Sequence, residues 1–238
     1  MARLKNPKVA LIMPAYNEAA VIADVINQLR QTFRGRGYEH EIIVIDDCSI
    51  DNTCEAAKSA GAKVIRHILN TGSGGSTATG LIYAQKNNFD LAATLDADGQ
   101  HLAEDVLRGI KLIQKNDSDL LIGSRLIDSQ GMSKVKRIGN KGLSIITFIL
   151  FGVKVTDSQS GLRIFSKAAL DSLKWRTHGY EFASEMLWRA KQRKLRINEF
   201  PIKAIYTEYS TAKGQNNWNA FNIIKSLIKR RIVELFGE

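Results

Sequence analysis

Short apolar runs and amphipathic stretches take turns along the first half of the chain. Residues 9–13 form an apolar run stopped by Pro14, the pattern of a buried strand. Val21, Val25, Ile26 and Leu29 then recur at helical spacing, which predicts a helix with one apolar face. Residues 42–45, 63–66, 91–95 and 120–123 read as four further strands. Helices are predicted over about 77–86 and 106–113, and another after Asp46-Asp47, with Ser49 or Asp51 as its cap. Strands and helices in this rhythm give an α/β fold, three layers built on a mainly parallel central sheet.

The polar residues that punctuate this pattern gather where strands end. Tyr16 and Glu18 follow the first strand, Asp46 and Asp47 the second, Asp96 and Asp98 the fourth, and Arg125 the fifth. Ligands of open parallel sheets sit outside those carboxyl ends. Asp96 and Asp98 point the same way where extended geometry persists through Ala97, and Gly99 then lets the chain turn. Two such carboxylates suit a hard cation, Mg2+ or Mn2+; a solvated Asp-Ala-Asp-Gly turn is the plainer alternative. Gly72-Ser73-Gly74-Gly75 is similar to a phosphate-cradling turn, with a flexible connector as the alternative. No Gly-Lys-Ser/Thr accompanies it and it follows the third strand, which argues against a P-loop or a dinucleotide-binding fold.

Composition adds one asymmetry. Of the net charge of +10, residues 1–124 carry 13 Lys and Arg against 15 Asp and Glu, while residues 125–238 carry 21 against 9. An anionic partner is therefore expected on the second half. Lys134, Lys136, Arg137 and Lys141 lead into the apolar run 143–153, which is shorter than the about 20 residues needed to cross a bilayer. Near the C-terminus Trp218, Phe221, Ile224, Ile228, Ile232 and Leu235 form a stripe, with Lys225, Lys229 and Arg230 off it. Such a basic amphipathic helix lies on an anionic membrane or packs on its own protein. Cys48 and Cys54 form no disulfide framework and the N-terminus has no signal core, so a cytoplasmic location is expected. The polar 206–215 stretch reads as a loop able to close over a ligand, with Lys213 reaching a phosphate. Tyr180, Glu181 and Glu185 open a helix whose carboxylates also suit pairing with nearby cations. Basic motifs interleaved with aromatics and zinc patterns are absent, and no nucleic-acid partner is expected.

Taken together, Pro14-Ala15-Tyr16-Asn17-Glu18, Asp46-Asp47, Asp96-Ala97-Asp98-Gly99-Gln100, Gly123-Ser124-Arg125 and Asp157–Arg163 make the sequence resemble the family 2 inverting glycosyltransferases. It is most similar to the dolichol- and polyprenyl-phosphate sugar transferases, over about residues 9–206. The resemblance implies a GT-A (Rossmann-like) fold over 1–206, followed by a loop and basic amphipathic helix at 207–238. It also implies a nucleotide-sugar donor, GDP-mannose or a UDP-sugar, a polyprenyl phosphate acceptor and Mg2+ or Mn2+. By position, Pro14, Ala15, Tyr16 and Glu18 would line the nucleoside pocket, with Asp46 or Asp47 near the base or ribose and Gly72 and Ala97 beside the nucleotide. Asp96, Asp98 and Gln100 would hold the metal; Ser124, Arg125, Arg163 and Lys213 would meet the acceptor or leaving phosphates.

The acceptor decides one further role. A phosphate acceptor is already anionic and needs arginines, whereas a saccharide hydroxyl, as in surface polysaccharide synthesis, needs a base, for which Asp157 is the candidate. Work on the cytoplasmic face of a membrane is expected, with a membrane partner protein or a second copy of the chain as further partners. Relatives commonly carry Lys-Gly where Ser73-Gly74 stands, and many add C-terminal membrane helices not expected here.

Overall fold

The computed structural model describes residues 6–129, 132–203, 205, 209 and 218–236. Its order is β1 (Lys8–Ala15), α1 (Ile22–Phe33), β2 (Glu39–Asp46), α2 (Thr53–Ser59), β3 (Lys63–Arg66), α3 (Gly72–Lys86), β4 (Leu91–Thr94) and α4 (Ala103–Lys115). There follow β5 (Leu120–Ser124), α5 (Lys134–Phe151), β6 (Arg163–Ser166), α6 (Lys167–Ser172), α7 (Phe182–Gln192), β7 (Ile197–Pro201) and α8 (Trp218–Phe236).

Seven strands form one sheet in the order β3-β2-β1-β4-β6-β5-β7. All neighbours are parallel except β6, which runs against both β4 and β5. The three-layer, mainly parallel arrangement expected from the sequence is therefore present. Side-chain alternation along a strand sends successive residues to opposite faces. Val9, Leu11 and Met13 enter one core with Ile26, Leu29 and Ile110, while Ala10 and Ile12 enter the other with Leu81, Met186 and Trp188.

Two helices differ from expectation. α3 begins at Gly72 rather than near residue 77, so the glycine segment is the helix's own first turn. Glycine is a poor helix former, and packing overrides that preference here. Any β-carbon at Gly80 would collide with Ile12, and one at Gly74 would come within 2.7 Å of Phe182 Cβ. In α8 it is Ile223 and Leu227 that are buried, while Ile228 and Ile232 of the expected stripe face outward. The side chains of Trp218, Phe221, Arg230 and Leu235 lie outside the described residues.

α5 packs against α8 and buries Leu143 and Phe151 in the second core, with hydroxyls between them. Inward it places Ser144 and Thr147, which bond to Ser158 and Ser184. Outward it exposes Ile138, Ile145, Phe148 and Ile149, the last 72% accessible.

Candidate active site

The site grows out of loops that satisfy one another's backbone. Glu18 N–H donates to Thr53 Oγ1 at 2.7 Å, Asn17 N–H to Ser49 Oγ at 3.0 Å and Ala19 N–H to Asp51 Oδ2 at 3.1 Å. The turn after β1 is thus stitched to the segment after β2. Asp51 also accepts from Thr53 N–H at 3.0 Å in the turn ahead of α2, but the N-cap of α2 is Asn52, with no side-chain capping bond, so neither expected cap occupies that position and Ser49 serves the neighbouring turn. Tyr209, beyond the sheet, donates its hydroxyl to Glu18 Oε2 at 2.9 Å. Burial and the Glu18 carboxylate push that phenol well above its ordinary value.

Asp47 organises the start of α3. Its Oδ1 accepts from Thr71 N–H at 2.8 Å and lies 2.8 Å from His67 Nδ1, and its Oδ2 accepts from Gly72 N–H at 2.7 Å. Burial opposes ionisation, but the Thr71, His67 and Gly72 hydrogen bonds hold Asp47 below the usual carboxylate range. The expected phosphate cradle is therefore filled in part by protein: Asp47 takes Gly72 N–H, and His178 O takes Gly74 N–H at 2.8 Å.

Asp96 and Asp98 lie at the open edge of the sheet beyond β4. The Asp96 side chain is 53% accessible, yet only through the mouth of a recess. That recess disfavours its charge, but the 3.1 Å contact with His101 Nε2 and the charges of His101, Arg125 and Arg163 hold it below its ordinary value. Asp98 goes the other way: burial, then the Asp96 charge, push it up to about 6. Gly161 runs so close behind Asp96 that any β-carbon would strike the carboxylate. Among the described residues no group of three or more His, Cys, Asp or Glu could enclose an ion. Two carboxylates driven apart in proton affinity still fit a hard cation completed by other oxygen donors, with Gln100 beside them. Competition between proton and cation sets the sign of a pH effect. Mn2+ affinity is expected to be level above about pH 6 and to fall up to about tenfold per unit below it, as Asp98 takes up a proton. Calorimetric titration from pH 5 to 8 reads this directly, and a constant affinity would contradict it.

Arg125 and Asp157 form a two-pronged pair, Nε to Oδ2 at 2.7 Å and Nη2 to Oδ1 at 3.0 Å, and Arg125 N–H also donates to Oδ2 at 3.1 Å. Glu199 anchors the same loop by accepting from the N–H groups of Thr156 and Asp157. Arg163 is 1% accessible and donates to the carbonyls of Ser158, Ser160 and Ala183 at 2.7–3.0 Å. Burial pushes its guanidinium down to about 10, against the supporting charges of Asp157 and Asp96.

A cavity of about 640 Å3 joins these parts, within the usual size for a small-molecule site. Pro14, Ala15, Tyr16, Glu18, Asp47, Gly72, Asp96, Ala97, Asp98, Gln100, Arg125 and Arg163 all line it. Three candidates stand behind the wall instead. Asp46 is buried against Arg66, Ser124 is bonded to Thr156, and Asp157 is buried against Arg125. Lys213 lies outside the described residues. Glu185, also buried, is taken up by Arg189 and the Thr177 N–H. Sequence reasoning passed over His101, Glu199 and Asn140, and had Lys136 only as part of a basic cluster and Tyr209 only as part of a loop able to close over a ligand. Of the three passed over, only His101 carried a signal, five residues beyond Asp96, whereas the others reach the site through tertiary folding.

Comparison with known proteins converges on one family. The sequence profile described as Glycosyl transferase family 2 matches residues 10–174. Among relatives, the chain is 43% identical over 240 residues to the UDP-N-acetylglucosamine--dolichyl-phosphate N-acetylglucosaminyltransferase of Methanococcus voltae, covering 92% of this chain and 94% of that protein. It is 28% identical over 218 residues to the undecaprenyl-phosphate mannosyltransferase of Micrococcus luteus, covering 87% of each. Among solved structures, glucosyl-3-phosphoglycerate synthase from Mycobacterium tuberculosis, in complex with Mn2+, uridine diphosphate and phosphoglyceric acid, superposes with a TM-score of 0.72 at 18% identity. That match covers 96% of this chain and 78% of the other, and it shows the shared fold.

Proposed function

The chain belongs to glycosyl transferase family 2, and from that premise we propose that it moves a hexose from a nucleoside-diphosphate sugar to a polyprenyl phosphate, with inversion. The observation that carries the acceptor is the Arg125–Asp157 pair. Both Asp157 oxygens are engaged by Arg125 and the residue is fully buried, so the candidate base cannot reach a hydroxyl, while Arg125 lines the cavity. A phosphate monoester needs no base. Its oxygen attacks the anomeric carbon from the face opposite the leaving group. The bond to the nucleoside diphosphate breaks, and the electron pair leaves on the diphosphate.

The protein's part is positioning and charge. Tyr16 and Glu18, fixed by the Ser49–Thr53 segment, would hold the nucleoside. Asp96, Asp98 and Gln100 would hold a divalent ion, which when bound offsets the negative charge gathering on the leaving diphosphate. Arg125 and Lys136 would meet the acceptor phosphate from the other side of the cavity. Arg163, with its donors spent on carbonyls, would contribute long-range charge and hold the 158–163 segment in place. The names of the relatives support a lipid-phosphate acceptor, and the 43% match favours a UDP-linked amino sugar over GDP-mannose.

The test is incubation with Mn2+, a labelled UDP- or GDP-sugar and undecaprenyl or dolichyl phosphate. Label should pass into the organic phase with at least one donor; none passing with any donor would overturn the reading. Asp157→Asn separates the two acceptor chemistries. As the support of Arg125 it should lower kcat/KM by about tenfold to a hundredfold, corresponding to one charge-assisted hydrogen bond of about 1.5–3 kcal/mol, with the pH profile unchanged. Complete loss, with a basic limb removed from the pH profile, would restore the hydroxyl reading.

The outward face of α5 and α8 supports work at a membrane. No helix among the described residues is long and apolar enough to cross one. Yet Ile138, Ile145, Phe148, Ile149, Ile228 and Ile232 are exposed, with Lys134, Lys136, Arg137 and Lys141 on α5 and Lys225 and Lys229 on α8. An interfacial helix buries such apolar groups at the headgroup boundary and gains from anionic lipid. Ile145→Asp with Phe148→Asp should abolish sedimentation with phosphatidylserine vesicles without changing thermal stability. Undiminished sedimentation would remove this face from the account.

A further inference from the structure

Arg125, which would meet the acceptor phosphate, sits just past the end of β5, and the connection between α5 and β6 grips it from behind. Asp157 takes its backbone N–H, its Nε and its Nη2. The residues on either side of Arg125 are tied to the same connection. Leu126 N–H donates to Ser124 Oγ at 3.2 Å, and Ser124 Oγ lies 2.6 Å from Thr156 Oγ1. Side chain and flanking backbone of the arginine thus both depend on where Thr156 and Asp157 stand.

Those two are fixed by a strand none of whose residues lines the cavity. β7 closes the edge of the sheet beside β5, with Glu199 opposite Ile122. Alternation puts Glu199 on the face of Ile197, which packs against the second core, so a carboxylate stands where an apolar residue would serve the sheet. Glu199 accepts from Thr156 N–H at 2.8 Å, from Thr156 Oγ1 at 2.8 Å and from Asp157 N–H at 3.1 Å. A carboxylate has no proton to give, and this sets the direction of the whole chain. With the Thr156 hydroxyl proton spent on Glu199, Ser124 donates to Thr156 and in turn accepts from Leu126. Every donor points toward Glu199, where the bonds are charge-assisted and strongest. We infer that Glu199 is a positioning residue for the acceptor: it fixes the Thr156-Asp157 turn, through it the guanidinium of Arg125, and so the affinity for the acceptor's phosphate. This rests on the reading of Arg125 as the contact to a lipid phosphate.

The test separates acceptor from donor. Glu199→Leu should raise KM for undecaprenyl or dolichyl phosphate, whichever wild type uses, by about tenfold, the worth of one charge-assisted hydrogen bond, with kcat within about threefold. Calorimetric titration of UDP and GDP with Mn2+ should give the same affinities as wild type within about twofold. Thr156→Val, at an exposed position, removes only the hydroxyl link and should raise the same KM by about threefold, which keeps the comparison available should Glu199→Leu not fold. In an Arg125→Ala background, Glu199→Leu should add nothing further, because members of one network do not act independently. An unchanged acceptor KM, a nucleotide affinity that falls in step with it, or a full further loss on top of Arg125→Ala would each overturn the positioning role. Wild type that passes label to neither lipid phosphate would overturn the acceptor reading, and the role of Glu199 with it.

Discussion

Asp96→Asn should lower the transfer rate by about a thousandfold or more while leaving the protein folded. The exchange keeps the size of the side chain and its ability to meet His101 Nε2, and removes only the charge. That charge is present over the whole working range, because Asp96 is held below its ordinary value, whereas Asp98, pushed up to about 6, loses its charge as the pH falls to that value. Losing it weakens the cation's hold where the departing diphosphate develops charge, and about 4 kcal/mol lost there is roughly a thousandfold in rate. Asp98→Asn should cost less at pH 6 than at pH 8, because the wild-type residue is already half protonated at the lower value. Initial rates with saturating nucleotide-sugar and a Mn2+ titration measure both. Activity within tenfold of wild type for Asp96→Asn would remove the acidic pair from the reaction.

The largest effect on stability should come from Arg163→Leu. Leucine fills part of the same space but leaves the carbonyls of Ser158 and Ser160 without the donors Arg163 supplies and removes a second donor from Ala183 O in α7. At about 1–3 kcal/mol for each stranded group, the loss should be about 4 kcal/mol, or roughly 10 °C in Tm for a chain of this size. Arg163→Lys keeps the charge but cannot fork to three acceptors, and should fall between the two. Calorimetric unfolding decides it. A drop under about 1 kcal/mol would mean that the 158–163 segment is held by something else.

How much of this was legible in the sequence depended on whether local pattern or distant partners decide each feature. The first five strands were legible because each has an apolar centre ended by polar or turn-forming residues. β4 stops at Thr94, however, and it is a turn at Ala97-Asp98, not extended geometry through Ala97, that brings Asp96 and Asp98 together. β6 was not, since Arg163-Ile164-Phe165-Ser166 has polar ends that are buried only because Ala183, Ser160 and Asp119 supply partners. The start of α3 was read as a loop because four glycines within nine residues argue against a helix until Ile12 and Phe182 are brought against them. For α8 the sequence left two surroundings open for its stripe: folding buries Ile223 and Leu227 in the second core with Ile224 packed beside them, and leaves Ile228 and Ile232 of the stripe outward. Arg163 and Asp157 looked like free chemistry in the sequence. Folding spends the donors of the first on carbonyls and both oxygens of the second on Arg125.

The reversed strand β6 limits how this side of the molecule can change length. It is clamped between β4 and β5, with Arg163 opposite Thr94 and Ile122. Deleting one residue from the approach to it and sliding the register by one would swap Arg163 with Ile164 across the sheet, putting a cation among Leu11 and Ile110. Diversification toward other acceptors is thereby channelled into the connection between β5 and α5 and the stretch after β7, where added residues leave that parity untouched.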